Sequence, residues 1–219
     1  MKITSLFDLT HTKACAYLSG FDYPWEALSG INTLILELGT ALDEDYAEIS
    51  PRIWVHKTAQ IAPSAHLSAP CIIGKNTEIR HCAYIRGNAL IGDNCVVGNS
   101  TELKNVILFD NVQVPHFNYV GDSILGYKAH MGAGSITSNV KSDKTPVTVK
   151  TSNEVIETGL KKFGAMLGDF VEVGCNSVLN PGTIVGRNSM IYPISCVRGV
   201  VPENSIFKTG GVIVNREQR

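Results

Sequence analysis

Three polar side chains stand out because their types and spacing could serve one reaction. Arg86 and Lys104 are separated by three hexapeptides, and each directly follows an aliphatic residue. Two neighbouring cations can hold a phosphate, Arg through its planar fork and Lys as a point charge. His116 lies in the segment VPHFNYVGDS, and a neutral imidazole can accept a proton near neutral pH. These residues predict an anion site beside a general base, but a solvated basic stripe and a surface histidine would produce the same pattern.

The spacing of the two cations is informative because the chain repeats with a period of six. Large apolar residues recur without a gap at Val55, Ile61, Leu67, Ile73, Ile79, Ile85, Ile91, Val97, Leu103 and Phe109. A small residue follows four positions later, at Ala59, Ala65, Cys71, Thr77, Ala83, Ala89, Cys95 and Thr101. Neither the helical nor the strand period explains this pattern, which is typical of a parallel β-helix with three hexapeptides in each coil. Residues one coil apart then stack on each other at about 4.8 Å.

The period of six is lost within VPHFNYVGDS, residues 114–123. It returns at Leu125, and later from Leu167 to Val197. Irregular backbone on a rigid scaffold is a common place for a functional site. Glu102 lies close to this segment in the expected fold. It is interpreted either as a surface partner of Lys104 or as the carboxylate that orients His116.

The chain divides into three parts. Residues 1–50 are expected to form a helical cap, with one amphipathic helix at about Pro24 to Leu42 across the open first coil. Residues 51–205 form the β-helix, which a loop or short hairpin interrupts at 140–163. Residues 206–219 form a tail that either adds a strand or is disordered.

Composition limits the possible partners. The net charge is −1, which argues against nucleic-acid and membrane binding. No leader or membrane span is evident, so a cytoplasmic protein with free thiols is expected. Cys71 and Cys95 occupy small inward positions and are interpreted as packing residues. The histidines have no tight local ligand spacing, so no metal requirement is expected, although a zinc site of three histidines stays an alternative.

The segment VPHFNYVGDSILGYKAHMGAGSITSN resembles a known acetyltransferase site. Bifunctional N-acetylglucosamine-1-phosphate uridylyltransferase/glucosamine-1-phosphate acetyltransferases carry His-x-x-Tyr-x-Gly-Asp, followed by Ile-Gly-Ala-Gly-Thr-Ile-Thr-x-Asn. The matching residues here are His116, Tyr119, Gly121, Asp122, Gly132, Ala133, Gly134, Ile136, Thr137 and Asn139. The family's upstream Arg, Glu and Lys fall on Arg86, Glu102 and Lys104 without a gap. The later segment LKKFGAMLGDFVEVGCNSVLNPGTIVG is similar to the archaeal branch of sugar-1-phosphate nucleotidylyltransferase/acetyltransferases.

This resemblance implies an all-β fold, a left-handed parallel β-helix, that assembles as a homotrimer. It also implies an N-acetyltransferase that uses acetyl-CoA as cosubstrate and an amino sugar 1-phosphate, glucosamine-1-phosphate or a similar sugar, as acceptor. The implied roles are a base (His116), its orienter (Glu102), phosphate ligands (Arg86 and Lys104), sugar ligands (Tyr119, Asn139 and His130), an oxyanion donor (the Ala133 N–H) and coenzyme A contacts (Ala133, Cys175 and Pro193).

The sequence departs from the family at several points. The nucleotidylyltransferase domain is absent from this sequence, His130 replaces a family asparagine, and Val140 replaces an aromatic residue. The coenzyme A positions match poorly. Three alternatives therefore stay open, namely a non-catalytic trimer that binds a sugar phosphate or a partner, an acyltransferase for a different amine, and a metal-dependent hydratase.

Overall fold

The fold is a parallel β-solenoid. The computed structural model describes residues 1–151 and 153–217. Ile73 pairs in parallel with Ile91, and Ile79 pairs with Val97, so in both cases the partner lies three hexapeptides farther along the chain. Each coil thus lies directly on the previous one, with its large apolar residues inside. The predicted fold class is confirmed, and the left-handed sense stays a prediction.

Each coil contributes a strand to three faces, which we number in chain order. The first face contains Ile53–His56, Cys71–Ile73, Ala89–Ile91, the second half of Glu102–Leu108, the second half of Tyr119–Leu125, Ala165–Leu167, Thr183–Val185 and Val200–Val201. The second face contains Gln60–Ile61, Glu78–Ile79, Val96–Asn99, Gln113–His116, His130–Met131, Glu172–Val173, Met190–Ile191 and Ser205–Phe207. The third face contains His66–Leu67, Tyr84–Ile85, the first halves of Glu102–Leu108 and Tyr119–Leu125, Ile136–Thr137, Val178–Leu179 and Cys196–Val197.

The N-terminal residues form short helices. The α-helices are α1 (Ile3–Leu6), α2 (Cys15–Leu18) and α3 (Ile31–Thr40), and the 3₁₀ helices are Leu9–His11 and Pro24–Gly30. The predicted helix from Pro24 to Leu42 is thus a 3₁₀ turn followed by α3. A strand, Tyr46–Ser50, then pairs antiparallel with Ile53–His56. None of the described helices is long and apolar enough to cross a membrane.

The helical segment covers the outside of the first face, which differs from the expected position across the open first coil. It runs back along the solenoid, since the Asp169 N–H donates to the Leu6 carbonyl (3.0 Å) while the Asp110 N–H donates to that of His11 (3.0 Å). Farther along, α3 packs on the strands Cys71–Ile73, Ala89–Ile91 and Glu102–Leu108.

An outward-facing ladder of apolar side chains explains why the segment lies there. The middle residues of successive first-face strands pair with one another, and all are buried: Trp54, Ile72, Leu90, Ile107, Ile124, Met166 and Ile184. The corresponding positions of the third face include His66, Tyr84 and Glu102, which are polar or exposed. The first face therefore needs a cover that the third face does not.

Two successive coils near the middle of the chain are each one position short of three hexapeptides, and the coil from Val185 to Val201 is two positions short. The partner of Ile91 is Leu108 and the partner of Leu108 is Leu125, so each of these coils falls one position short of three hexapeptides. Leu108, rather than Phe109, thus takes the repeat position. The short steps run from Leu103 to Leu108 and from Val120 to Leu125. The first precedes the irregular segment 114–123, and the second overlaps its end. They make Glu102–Leu108 and Tyr119–Leu125 continuous strands around the corner between the third and first faces.

An insertion and a tail complete the chain. Ile124 pairs with Met166, which is much farther along the chain than one coil, so this coil contains an insertion between Thr137 and Ala165, which we call the excursion. It includes an antiparallel hairpin of Thr148–Lys150 and Val155–Glu157. The tail adds the strand Ile213–Asn215, antiparallel to Ser205–Phe207.

The packing interpretation of Cys71 and Cys95 agrees with their position inside the solenoid. Both are buried, and burial raises the pKa of each thiol to about 12. These thiols therefore stay protonated near neutral pH.

The ladder predicts a measurable contribution to stability. Ile107→Ala should lower the free energy of unfolding by about 2–5 kcal/mol, because it leaves a cavity under α3. Ile49→Ala removes the same atoms from a side chain that is 57% exposed, and it should change stability by no more than about 0.5 kcal/mol. Urea denaturation followed by circular dichroism measures both, and equal effects would contradict the packing described here.

Candidate functional site

Arg86 and Lys104 lie on neighbouring strands of the third face. Ile85 pairs with Leu103, and the next residues, Arg86 and Lys104, point outward from the same side. Gly121 follows in register on the next strand, beside Lys104. Because Gly121 has no side chain, the Tyr119 hydroxyl can lie directly over it. A Cβ at this position would lie 2.5 Å from the Tyr119 hydroxyl oxygen.

Each of the two cations has a carboxylate partner. Arg86 Nη1 lies 2.7 Å from Glu102 Oε1, and this hydrogen bond raises the pKa of the guanidinium. Lys104 Nζ lies 2.8 and 2.9 Å from the two carboxylate oxygens of Asp122. Glu102 therefore pairs with Arg86 here, rather than with Lys104 as one interpretation of the sequence expected. The four charges balance one another.

Asp122 connects the group. Its backbone has a φ of 47° at the second shortened corner, and it is only 4% exposed. Its carboxylate accepts hydrogen bonds from Asn105 Nδ2 (3.0 Å) and Asn139 Nδ2 (2.5 Å) in addition to Lys104. The Asn139 amide also donates to the Tyr119 hydroxyl (3.1 Å). One buried carboxylate thus fixes three side chains that converge at the corner.

The environment of Tyr119 disfavours its phenolate. Partial burial raises the pKa of the hydroxyl, and the nearby charge of Asp122 raises it further. Tyr119 therefore carries its proton at neutral pH. The hydroxyl oxygen accepts a hydrogen bond from the Asn139 amide, so the hydroxyl proton is free to be donated to a ligand.

His116 ends a strand of the second face, just before the corner that leads to Tyr119. Its backbone is held at both ends, since its N–H donates to Asn118 Oδ1 (3.1 Å) and its carbonyl accepts from the Gly134 N–H (3.0 Å). The buried Asn118 amide also donates to the Gly132 carbonyl (2.9 Å). The imidazole is exposed, and within residues 1–151 and 153–217 it has no hydrogen-bond partner. The bond that the sequence interpretation assigned between Glu102 and His116 is not formed in this structure.

Ala133 lies on the coil that follows His116. Its carbonyl accepts a hydrogen bond from the Asn176 N–H (2.8 Å). Its own N–H has no acceptor among the described residues, and Ala133 is partly exposed. A backbone donor is therefore available next to the strand end that carries His116.

An open groove of about 560 Å³ continues from this point along the second face. Its lining includes Gly132, Cys175 and Pro193, so two of the three residues assigned to coenzyme A lie together in it. A Cβ on Gly174 would overlap the Pro193 nitrogen, so glycine is needed where these coils approach most closely.

His130 also lines the groove, on its polar side. Its Nδ1 lies 2.8 Å from Glu172 Oε2 on the neighbouring strand. Among the described residues, no three or more His, Cys, Asp or Glu side chains are arranged to hold a metal ion.

Comparisons with known proteins agree with the resemblance. A family described as "GMPPB C-terminal domain" matches residues 69–160. The bifunctional protein GlmU of Methanococcus maripaludis is 30% identical over 206 residues, which are 92% of this chain and 50% of that protein. The bifunctional sugar-1-phosphate nucleotidylyltransferase/acetyltransferase of Sulfurisphaera tokodaii is 28% identical over 189 residues, 84% of this chain and 47% of that protein.

The chain is similar over most of its length to part of these bifunctional proteins of the GlmU type. The predicted resemblance is thus confirmed, and the name of the Sulfurisphaera tokodaii relative supports the predicted enzyme class, an acyltransferase. The chain spans about half the length of the curated relatives it matches. Among solved structures, the polySia-specific acetyltransferase NeuO is 16% identical, with a TM-score of 0.45 over 72% of this chain and 82% of that one.

Sequence reasoning assigned no role to two residues of this site. Asp122 was part of the matched motif, but its contacts depend on the shortened corner, which brings it opposite Asn105. Asn118 fixes the corner that follows His116. The available signal for Asp122 was local, because Asp is one of the few residues that tolerate a positive φ, and it follows Gly121 directly.

We predict that Asp122 stabilises the site through Lys104. Asp122→Ala should lower the free energy of unfolding by about 2–3 kcal/mol, because a largely buried ammonium group loses its carboxylate. Lys104→Met in the same chain should recover about 1 kcal/mol or more of that loss, which a double-mutant cycle in urea measures.

The exposed pair of Arg80 and Glu78, 2.7 Å apart, provides the control. Glu78→Ala should cost less than about 1 kcal/mol, because solvent screens that pair. An equal cost for Asp122→Ala and Glu78→Ala would show that the corner network does not hold Lys104.

Proposed function

We propose that this chain is an acetyl-CoA-dependent N-acetyltransferase for an amino sugar 1-phosphate. One observation carries the proposal: the third face lies between a free histidine and a free backbone donor at the corner with the second face, and two cations with two sugar-compatible side chains toward the corner with the first face. The Sulfurisphaera tokodaii relative, which is named as an acetyltransferase, supports the reaction class.

The cations are suited to the 1-phosphate even though both are paired. A guanidinium has five N–H donors and Glu102 uses one of them, while an ammonium has three and Asp122 uses two. A phosphate can therefore join both cations without displacing either carboxylate. Tyr119 and Asn139, on the next two coils, would then bind the hydroxyl groups of the sugar.

Direct transfer needs only these groups. His116 accepts a proton from the amine as the nitrogen attacks the thioester carbon, and the Ala133 N–H donates to the oxygen of the tetrahedral intermediate. The intermediate collapses with loss of the coenzyme A thiolate, and the amide product remains. Cys175 takes no covalent part in this route.

The second-face groove fits the elongated, apolar arm of the donor. It begins next to Ala133, which sets the thioester close to His116, and it continues past Cys175 and Pro193. His130 lines this groove on the coil that follows His116, and it would contact the sugar where the acceptor meets the donor.

A homotrimer would complete this site. Phe117 and Ile194 occupy the same corner as His116, are 59% and 75% exposed, and have φ values of 52° and 58°. Large apolar side chains rarely project into solvent from that strained conformation. Contact with a neighbouring copy would bury them and would close the groove beside His116.

The base assignment predicts a large loss of rate. His116→Ala should reduce acetyl transfer by about 10²–10⁴-fold, the usual contribution of a general base. Thiol release from acetyl-CoA, with glucosamine and galactosamine 1-phosphates as acceptors, measures it. His66→Ala removes another exposed histidine, three coils away, and should leave the rate unchanged.

Near-normal transfer by His116→Ala would overturn the assignment of the base. If the wild-type chain binds acetyl-CoA and the sugar phosphate but releases no thiol, the non-catalytic alternative replaces the proposed function.

The phosphate assignment predicts a selective change in KM. Lys104→Ala should raise KM for the sugar 1-phosphate by roughly tenfold or more, because one charge-assisted contact is lost. KM for acetyl-CoA should change less than about twofold. Lys75→Ala, at an exposed position on another corner, should alter neither value. Equal changes in the two KM values would contradict a phosphate role.

A further inference from the structure

The excursion builds a second cavity on the third face. This cavity of about 320 Å³, which we call the excursion cavity, lies between the start of the excursion, its hairpin, and the coils at residues 180–181 and 198–199. None of Arg86, Lys104, Tyr119 and His116 lines it, so it is distinct from the site described above.

The lining of the excursion cavity is cationic. It contains Lys141, Lys150 and Arg198, with Asp143 as its one carboxylate. Lys141 lies 3.5 Å from Asp143 and is thereby neutralised. Neither Lys150 nor Arg198 forms an ion pair with any described residue, so the cavity has two uncompensated positive charges.

Polar groups with free hydrogen-bonding capacity complete the lining. Ser138, Ser142 and Thr148 contribute hydroxyl groups. The Asn180 amide nitrogen is used internally, donating to the Val197 carbonyl (2.9 Å), which leaves its carbonyl oxygen as an acceptor in the cavity wall.

The hairpin is seated tightly on the solenoid, which fixes these groups. A Cβ on Gly182 would lie 2.7 Å from the Thr148 carbonyl oxygen, and one on Gly199 would lie 2.7 Å from that of Lys150. Both glycines have positive φ, 81° and 76°, so glycine is required for the backbone and for the contact. The contact at Gly199 sets Lys150 beside Arg198.

We propose that the excursion cavity binds a phosphate-bearing small molecule through Lys150 and Arg198. Arg198 offers a planar fork and Lys150 a point charge, which is the pair of donors that suits a phosphate. The volume lies at the lower end of the usual range for small-molecule sites, about 300–1,000 Å³. A nucleotide phosphate or diphosphate group matches this charge and size.

Two sources could supply that phosphate. Ser138 and Val140 line the cavity and flank Asn139 of the corner network, so the cavity adjoins the acceptor site. The ligand is therefore either the distal part of a longer acceptor, a nucleotide-activated amino sugar, or a separate molecule. The first source rests on the proposed function, while the second does not.

A titration in a blocked background tests the proposal. In Arg86→Gln/Lys104→Met the other phosphate site is disabled, and isothermal titration calorimetry with pyrophosphate should detect one site per chain. Adding Lys150→Gln and Arg198→Gln should weaken binding by about tenfold or more, because two charge-assisted contacts are lost. Adding Lys144→Gln and Lys208→Gln instead removes two charges from exposed positions outside the cavity and should leave the affinity within about twofold.

The outcomes separate clearly. No pyrophosphate binding in the blocked background, or equal affinities for the two quadruple variants with circular dichroism unchanged, would overturn the proposal. If binding is confirmed, KM values of Lys150→Gln/Arg198→Gln for a UDP-activated amino sugar and for its 1-phosphate identify the source. A selective rise for the nucleotide sugar indicates a distal subsite, and unchanged values indicate a separate ligand. The titration shows whether the excursion cavity binds a phosphate group even if the chain transfers no acetyl group.

Discussion

Parallel backbone hydrogen bonds hold each coil of the solenoid in register on the previous one, and the position of every site residue depends on that register. Inward residues of one coil stack on inward residues of the next, and this stacking also fixes where the outward side chains of the same strands lie. Arg86 and Lys104 are neighbours for this reason alone, although a full coil of chain separates them. The two shortened coils keep the register of the strands and change only a corner. That corner carries Asp122, whose carboxylate organises the surrounding amides and Lys104.

The charge distribution shows how a rigid scaffold can hold cations ready without leaving them isolated. At the site of Arg86 and Lys104 each cation has a carboxylate, which limits the cost of holding two positive charges together and orients both of them. At the excursion cavity two cations have no such partner among the described residues. The two sites lie on the same face, separated by the network around Asn139. The second face between its strands Gln113–His116 and Met190–Ile191 offers a largely apolar groove instead, so the three regions suit chemically different parts of their ligands.

Much of the fold could be predicted from the sequence, because every coil of a solenoid is built from the same short repeat with the same inward-facing positions. The period of six identified the coils and their inward residues, and the interval of three hexapeptides placed Arg86 beside Lys104. The position of the N-terminal segment was not predicted, although its signal was present: first-face strands have two adjacent large apolar residues, such as Ile72 and Ile73, where other faces have one. Ile73 points into the core, whereas Ile72 points outward and is buried by the N-terminal segment. The motif match identified the candidate site residues but did not predict the hydrogen bonds and ion pairs between them.

The sequence by itself determined the class of fold, the stacking of the cations and the similarity to GlmU-type bifunctional proteins, since periodicity and motifs are properties of the chain order. Only the tertiary structure decided that Glu102 pairs with Arg86, that Asp122 holds Lys104 and Asn139, and that the hairpin of the excursion closes a cationic cavity against Arg198. These contacts join residues across corners and insertions of irregular length. No period relates such residues, so their proximity follows only from how the whole chain packs.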